Sequence, residues 1–230
     1  MLGTSYHYRY AAIAALQPAL SRGESYWLSE EEQAEYAALR NRTRRQTWFA
    51  GRVLCKQLLT TCLRRITGLT AAELSYPHLR IESAGYPPRA WYRDQPIPWS
   101  LSLSHTCDSV LAAVASQRDL SVGVDLVKPQ TLTAGFQDMW FTPAERYWMR
   151  DETAVAPAIL WGMKEAVYKA LRGNSPFAPR SIEIQRAAVG GFRGCHANLE
   201  ADGSCRIWWR GTRHNEIAIF ATSIRGACHD

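Results

Sequence analysis

None of the six cysteines (Cys55, Cys62, Cys107, Cys195, Cys205, Cys228) forms a CxxC pair, and none of the six histidines stands beside them at zinc-ligand spacing. That excludes a zinc knuckle and favours reduced thiols over a disulfide frame, with a cytoplasmic location as the matching expectation. Long apolar runs are missing too. The patch from Ala11 to Leu16 is too short and too polar at its flanks for a signal peptide or membrane span. Acidic residues are absent from Tyr36 to Ala72, a window that carries Arg40, Arg42, Arg44, Arg45, Arg52, Lys56, Arg64 and Arg65. With a formal net charge of +6, the chain suits an anionic partner, whether nucleotide, nucleic acid or acidic protein surface. No low-complexity tract or long linker interrupts it.

Apolar residues make up 47% of the 230, enough for one large globular domain or two small ones. Ser29 and Glu32 fit a capping box, which predicts a helix running toward Leu39. A longer helix is expected from Thr43 to Thr67, with Trp48, Cys55, Leu59, Cys62 and Ile66 at core-facing intervals. Arg45, Arg52 and Lys56 share an adjoining face of that helix and could converge on a phosphate, or form a solvated basic face. Strands are predicted from Trp99 to Ser104, Ser109 to Ala115 and Ser121 to Val127, as a meander that leaves His105 just past one strand end. A helix from Ala158 to Arg172 and strands at Ser181 to Gln185, Ser204 to Trp209 and Glu216 to Thr222 complete the pattern, with a loop from Asn174 to Pro179.

Two short motifs carry the chemistry. In Val122-Gly123-Val124-Asp125-Leu126 an acid sits inside an apolar strand, where an ionised carboxylate needs a cationic partner. In Trp161-Gly162-Met163-Lys164-Glu165-Ala166-Val167-Tyr168-Lys169 the helical period puts Glu165 and Lys169 on one stripe, beside a core face of Ile159, Met163, Ala166, Val167 and Ala170. Two carboxylates suit a hard cation such as magnesium, which keeps waters and binds substrate phosphates, and nearby lysines would neutralise the phosphate charge. Each motif has a plainer reading: Glu165 and Lys169 as a surface i,i+4 ion pair, and Asp125 as the cap of a turn leading to Pro129.

Taken in order with Ser102-Leu103-Ser104-His105, these motifs make the chain resemble a 4′-phosphopantetheinyl transferase, closest to the larger monomeric class that activates peptide, polyketide and siderophore synthetases. The resemblance spans about Arg40 to Pro179. It implies an α+β fold of two similar α/β halves, 1–118 and 119–230, related by pseudo-twofold symmetry with the active site in the cleft between them. It also implies transfer of 4′-phosphopantetheine from coenzyme A to a serine of an apo carrier protein, with magnesium on Asp125 and Glu165. Ser104 and His105 would then contact phosphates of coenzyme A, and Lys164 and Lys169 would hold its diphosphate. The run Arg44 to Arg52 is similar to the family's basic signature ending in Gly-Arg, which makes Arg45 and Arg52 candidates for the 3′-phosphate. Gly85-Tyr86-Pro87 falls where many members have Gly-Lys-Pro near the adenine.

The chain departs from the family at Val127, where many members carry a third acid, so a two-carboxylate metal site completed by phosphate and water is expected. Either Glu165 or Lys169 is the candidate acceptor of the serine proton. Two rival readings stand beside this one. One is a degenerate member that binds coenzyme A or carrier without turnover, motivated by Val127; the other is a basic nucleic-acid-binding module built on Arg40 to Arg65.

Overall fold

The computed structural model describes residues 6–70, 73–83, 87–151, 156–171, 176–187, 191–196 and 204–224. The chain divides into two compact units, Met1–Arg118 and Asp119–Asp230. The first unit runs β1 (Tyr6–Ala12), α1 (Gln17–Leu20), α2 (Glu24–Trp27), α3 (Glu30–Ala38), α4 (Arg42–Thr67), β2 (Leu79–Glu82), β3 (Arg89–Tyr92), β4 (Gln95–Ile97), β5 (Ser100–His105) and β6 (Ser109–Ala115). The second runs β7 (Leu120–Val127), α5 (Ala134–Trp140), α6 (Pro143–Asp151), α7 (Pro157–Leu171), β8 (Ile182–Arg186), β9 (Phe192–His196), β10 (Ser204–Gly211) and β11 (Ile217–Ile224). The fold is α+β.

In the first unit β6 pairs antiparallel with both β1 and β5, and β3 pairs with β2 and β4. Helix α4 lies against β6, β1 and β5, and its buried Leu54, Cys55, Leu58, Leu59 and Cys62 pack into a core with Leu101, Val110, Ala112 and Val114. The apolar stripe read from the sequence therefore holds over its middle. It fails at Ile66, which is 60% exposed in the last turn, where the helix outruns the sheet before Gly68 ends it in a left-handed conformation.

In the second unit the five strands lie in the order β7-β11-β10-β9-β8, and α7 covers β7 and β11. Here the expected meander needs correcting. Strand β7 does not extend the β5–β6 pair but runs antiparallel to β11, with Asp125 opposite Ile219. The alternating pattern specifies a strand, not its partner, and a neighbour in sequence is only the default partner. Strands β1, β2, β3, β4 and β9 and helices α1, α2, α5 and α6 were not read from the sequence; most are short, and their patterns are weak.

Each unit is pinned by the same polar knot. In the first, the capping box of α3 is formed as expected: Glu32 N–H donates to Ser29 Oγ at 3.3 Å and Ser29 N–H to Glu32 Oε2 at 3.1 Å. Glu32 is buried and also accepts from the Lys56 ammonium and from Ile81 N–H of β2 at 3.0 Å, while Lys56 donates to the carbonyls of Trp27 and Tyr76. In the second, Thr142 N–H donates to Glu145 Oε2 at 2.8 Å and Glu145 N–H to Thr142 Oγ1 at 3.2 Å. Glu145 in turn accepts from Ile184 N–H of β8 at 2.8 Å and pairs at 2.8 Å with Lys164, which donates to the carbonyls of Pro179 and Ile182. A short helix, the long helix and the first strand after it are thereby tied at one carboxylate in each unit.

Burial pulls the pKa of Lys56 and of Lys164 down, and the paired glutamate opposes that shift in both cases. A buried ion with its partner removed is costly. Lys164→Ala is expected to lower the free energy of unfolding by about 3–5 kcal/mol. A urea denaturation curve matching that of the unmodified protein would show that Glu145 does not depend on this cation.

Candidate active site

Two glycines allow the sequence motifs to meet. A Cβ on Gly123 of β7 would lie 1.9 Å from the carbonyl oxygen of Ala166 and 2.5 Å from the amide nitrogen of Ala170, so α7 runs directly over this residue. Gly162 plays the reciprocal part on α7: its Cβ would sit 2.4 Å from Ile219 Cδ1, 2.8 Å from Val127 Cγ1 and 3.2 Å from Asp125 Oδ2. Asp125 and Val127 therefore face the same helix, as strand alternation requires.

That close approach brings three charged side chains together. Lys169 donates to Asp125 Oδ1 at 2.7 Å and lies 3.3 Å from Glu165 Oε2. Asp125 is buried at 5% exposure, whereas Glu165 and Lys169 are partly open to solvent. Burial, and then the neighbouring Asp125, push the Glu165 carboxyl above the usual glutamate range; Lys169 and a hydrogen bond from the Trp161 side chain oppose the shift. One ammonium thus stands between two acids, and burial first, then the neighbouring carboxylate, favours the protonated form of Glu165. This donor set fits a hard divalent cation, which carboxylate oxygens favour. Among the described residues no group of three or more His, Cys, Asp and Glu side chains converges as a metal site.

Lys164 does not join this group. Its side chain is fully buried and its ammonium is taken up by Glu145 and two carbonyls, so it secures α7 rather than facing a diphosphate. The sequence put Lys164 and Lys169 in one phosphate-binding role, but five residues on a helix separate their directions by more than a quarter turn. One ammonium enters the core; the other meets the acids.

The first unit contains a groove of about 520 Å³ lined by Arg44, Trp48 and Arg52 of α4, by Ser83 and Pro88 around β2 and β3, and by Ser104 and His105 of β5. Ser104 and His105 line it side by side, with His105 ending its strand rather than following it. The basic face of α4 is organised differently from its sequence reading. Arg45 lies over the Tyr36 ring, 4.5 Å from its centroid, and lines another hollow. Arg52 is buried, 3.3 Å from Glu32 and 3.6 Å from Glu35, donates to Ser83 Oγ at 2.8 Å and lies 4.4 Å from the centroid of Trp48. Lys56 is held by Glu32. The face shared by Arg45, Arg52 and Lys56 packs on α3, whose Glu32, Glu35 and Tyr36 engage all three cations. Arg44 is the exposed arginine that lines the groove. Its signal was the i, i+4, i+8 spacing of Arg44, Trp48 and Arg52, which helical periodicity could have exposed. Gly85 and Tyr86 lie outside the described residues; Pro87 is a bend between β2 and β3.

Residues 121–220, which contain Asp125, Glu165 and Lys169, match the family described as the 4′-phosphopantetheinyl transferase superfamily (ACPS). No curated protein matches the chain. The match runs from β7 into β11 and so holds both glycines that set the approach of α7 in this unit. No helix among the described residues is long and apolar enough to cross a membrane, and Cys55, Cys62, Cys107 and Cys205 are not joined in disulfides.

Gly123→Ala is expected to destabilise the protein by roughly 3 kcal/mol or more, since its methyl group meets helix backbone that cannot swing aside. Gly162→Ala meets mainly side-chain ends and is expected to cost less while disturbing Asp125. Thermal unfolding of both variants checks this, and equal midpoints would contradict the backbone clash at Gly123.

Proposed function

We propose that the protein transfers 4′-phosphopantetheine from coenzyme A to a serine hydroxyl of an apo carrier protein, acting on carriers of peptide, polyketide or siderophore assembly in the manner of the larger monomeric class. The observation that carries this reading is the convergence of Asp125, Glu165 and Lys169 where the Gly-Val-Asp and Lys-Glu-Ala motifs pack together. The serine oxygen forms a bond to the phosphorus bearing the pantetheine arm, the bond from that phosphorus to the bridging oxygen breaks, and adenosine 3′,5′-bisphosphate leaves.

Asp125 and Glu165 are the residues to hold magnesium, which when bound would neutralise charge on the diphosphate and polarise its phosphorus. Lys169 places an ammonium beside both acids, and an ammonium that already donates has no lone pair with which to take a proton. Glu165 is therefore the assigned acceptor of the serine proton, and its raised pKa brings it nearer to the range a general base needs. In the first unit, His105, Ser104 and Arg44 are assigned to phosphates of coenzyme A, with the indole of Trp48 as an apolar wall for its adenosine end. Arg52 shapes this groove from a buried position. The chemistry rests on positioning and charge stabilisation, as expected for phosphoryl transfer. A reduced, cytoplasmic enzyme acting as a monomer is the setting this reading implies.

Mass spectrometry of several apo carriers incubated with the protein, coenzyme A and magnesium should reveal the added arm. Coenzyme A binding with no modified carrier at any magnesium concentration would favour the degenerate alternative. Asp125→Ala and Glu165→Ala are each expected to lower transfer at least about a hundredfold with folding intact; near-normal rates in either would remove the metal assignment. Val127→Glu adds an acid on the face that carries Asp125 and should reduce the magnesium concentration needed for half-maximal rate, which a magnesium titration reads directly. Because the folded pKa of Glu165 is raised, protons compete with the cation up to a higher pH than at an ordinary glutamate. Magnesium affinity should accordingly rise as pH passes upward through that pKa and fall below it. Arg44→Gln should weaken coenzyme A more than dephospho-coenzyme A, and equal effects on both ligands would reject the 3′-phosphate role.

A further inference from the structure

The arginines outside the groove form a second cationic feature of the first unit. A hollow of about 620 Å³ has Leu20, Tyr36 and Phe49 as its apolar floor and Arg40, Arg42 and Arg45 around it. No acidic residue lines it, and among the described residues none of the three arginines has a carboxylate partner. Arg45 is half-buried and held over the Tyr36 ring at 4.5 Å from its centroid, which limits the freedom its guanidinium would lose on binding. Arg42 is the first residue of α4, a helix of 26 residues whose amino end adds partial positive charge to the same place. Three arginines around one hollow with no acidic residue lining it leave a local excess of positive charge, which a shared anion would neutralise.

We propose that this hollow binds a phosphorylated small molecule, with phosphate oxygens on Arg40, Arg42 and Arg45 and the organic part against Leu20 and Phe49. Its volume lies in the ordinary range for small-molecule sites. It is separate from the Arg44 groove and does not depend on the transferase reading. Two guanidiniums at the open side and one pinned within favour a group with several anionic oxygens over a single carboxylate.

Calorimetric titration of the full chain with sodium pyrophosphate, without coenzyme A or divalent metal, tests the assignment and leaves the transferase reading untouched. The expected result is a binding event that weakens at least about tenfold in the Arg40→Gln/Arg42→Gln double variant and survives in Arg44→Gln. Both changed residues are exposed, so the fold should be retained, and circular dichroism checks it. Arg45→Lys, which keeps the charge but loses the planar fork, should fall between Arg45→Gln and the unmodified protein. Three results would overturn the proposal: no heat with the unmodified protein, loss of binding in Arg44→Gln with retention in the double variant, or binding of a single-stranded oligonucleotide but not pyrophosphate through these arginines.

Discussion

A glutamate buried at the start of a short helix, paired with a lysine from the long helix that follows, holds each unit in register. Glu32 and Glu145 occupy the same position in their capping boxes, and each also accepts the backbone N–H of a strand residue, Ile81 or Ile184. One carboxylate therefore fixes three elements at once. Such a site is stabilising only because every lone pair and ammonium proton finds a partner; a missing partner would leave an uncompensated charge in a low-dielectric interior. In the second unit the lysine is Lys164, adjacent in sequence to Glu165. The contact that secures α7 thus also sets the rotation that turns Glu165 and Lys169 toward Asp125.

The approach of α7 to β7 then depends on the absence of two side chains. Gly123 lets the helix backbone lie over the strand, and Gly162 leaves room beside Asp125, Val127 and Ile219. Any larger residue at Gly123 would separate helix from strand and move Glu165 away from Asp125. The glycines and the acids are parts of one packing solution, since the same close contact that excludes a Cβ makes the two carboxylates neighbours and raises the pKa of Glu165. The clustering of Asp125, Glu165 and Lys169 is a consequence of helix-on-sheet geometry, with the Lys169 ammonium supplying part of the balancing charge.

In the first unit, charge is divided by packing. The acid-free window reads as one positive field, yet α3 lies against α4 and sorts it. Glu32 and Glu35 take up Lys56 and Arg52 as structural ions, Tyr36 holds Arg45, and Arg44 is left for the groove of Trp48, Ser104 and His105. Identical residue types in one helix therefore do three different jobs, decided by what stands opposite each.

Local signals were strong enough for the sequence alone to determine the capping box at Ser29, the long helix ending near Thr67, the strands holding Ser104 and Asp125, and the pairing of Glu165 with Lys169. These depend on periods of two and 3.6 residues and on short-range capping, which neighbours in the chain encode. Only the tertiary structure decided that β7 pairs with β11, that Lys164 enters the core, that Arg44 rather than Arg45 lines the groove, and that Gly123 and Gly162 admit the helix. Each of those outcomes turns on a residue far away in the chain: Ile219 opposite Asp125, Glu145 beside Lys164, Tyr36 beneath Arg45 and Ala166 above Gly123. Periodicity reports which face of an element a side chain occupies; the identity of what meets that face is set by long-range packing.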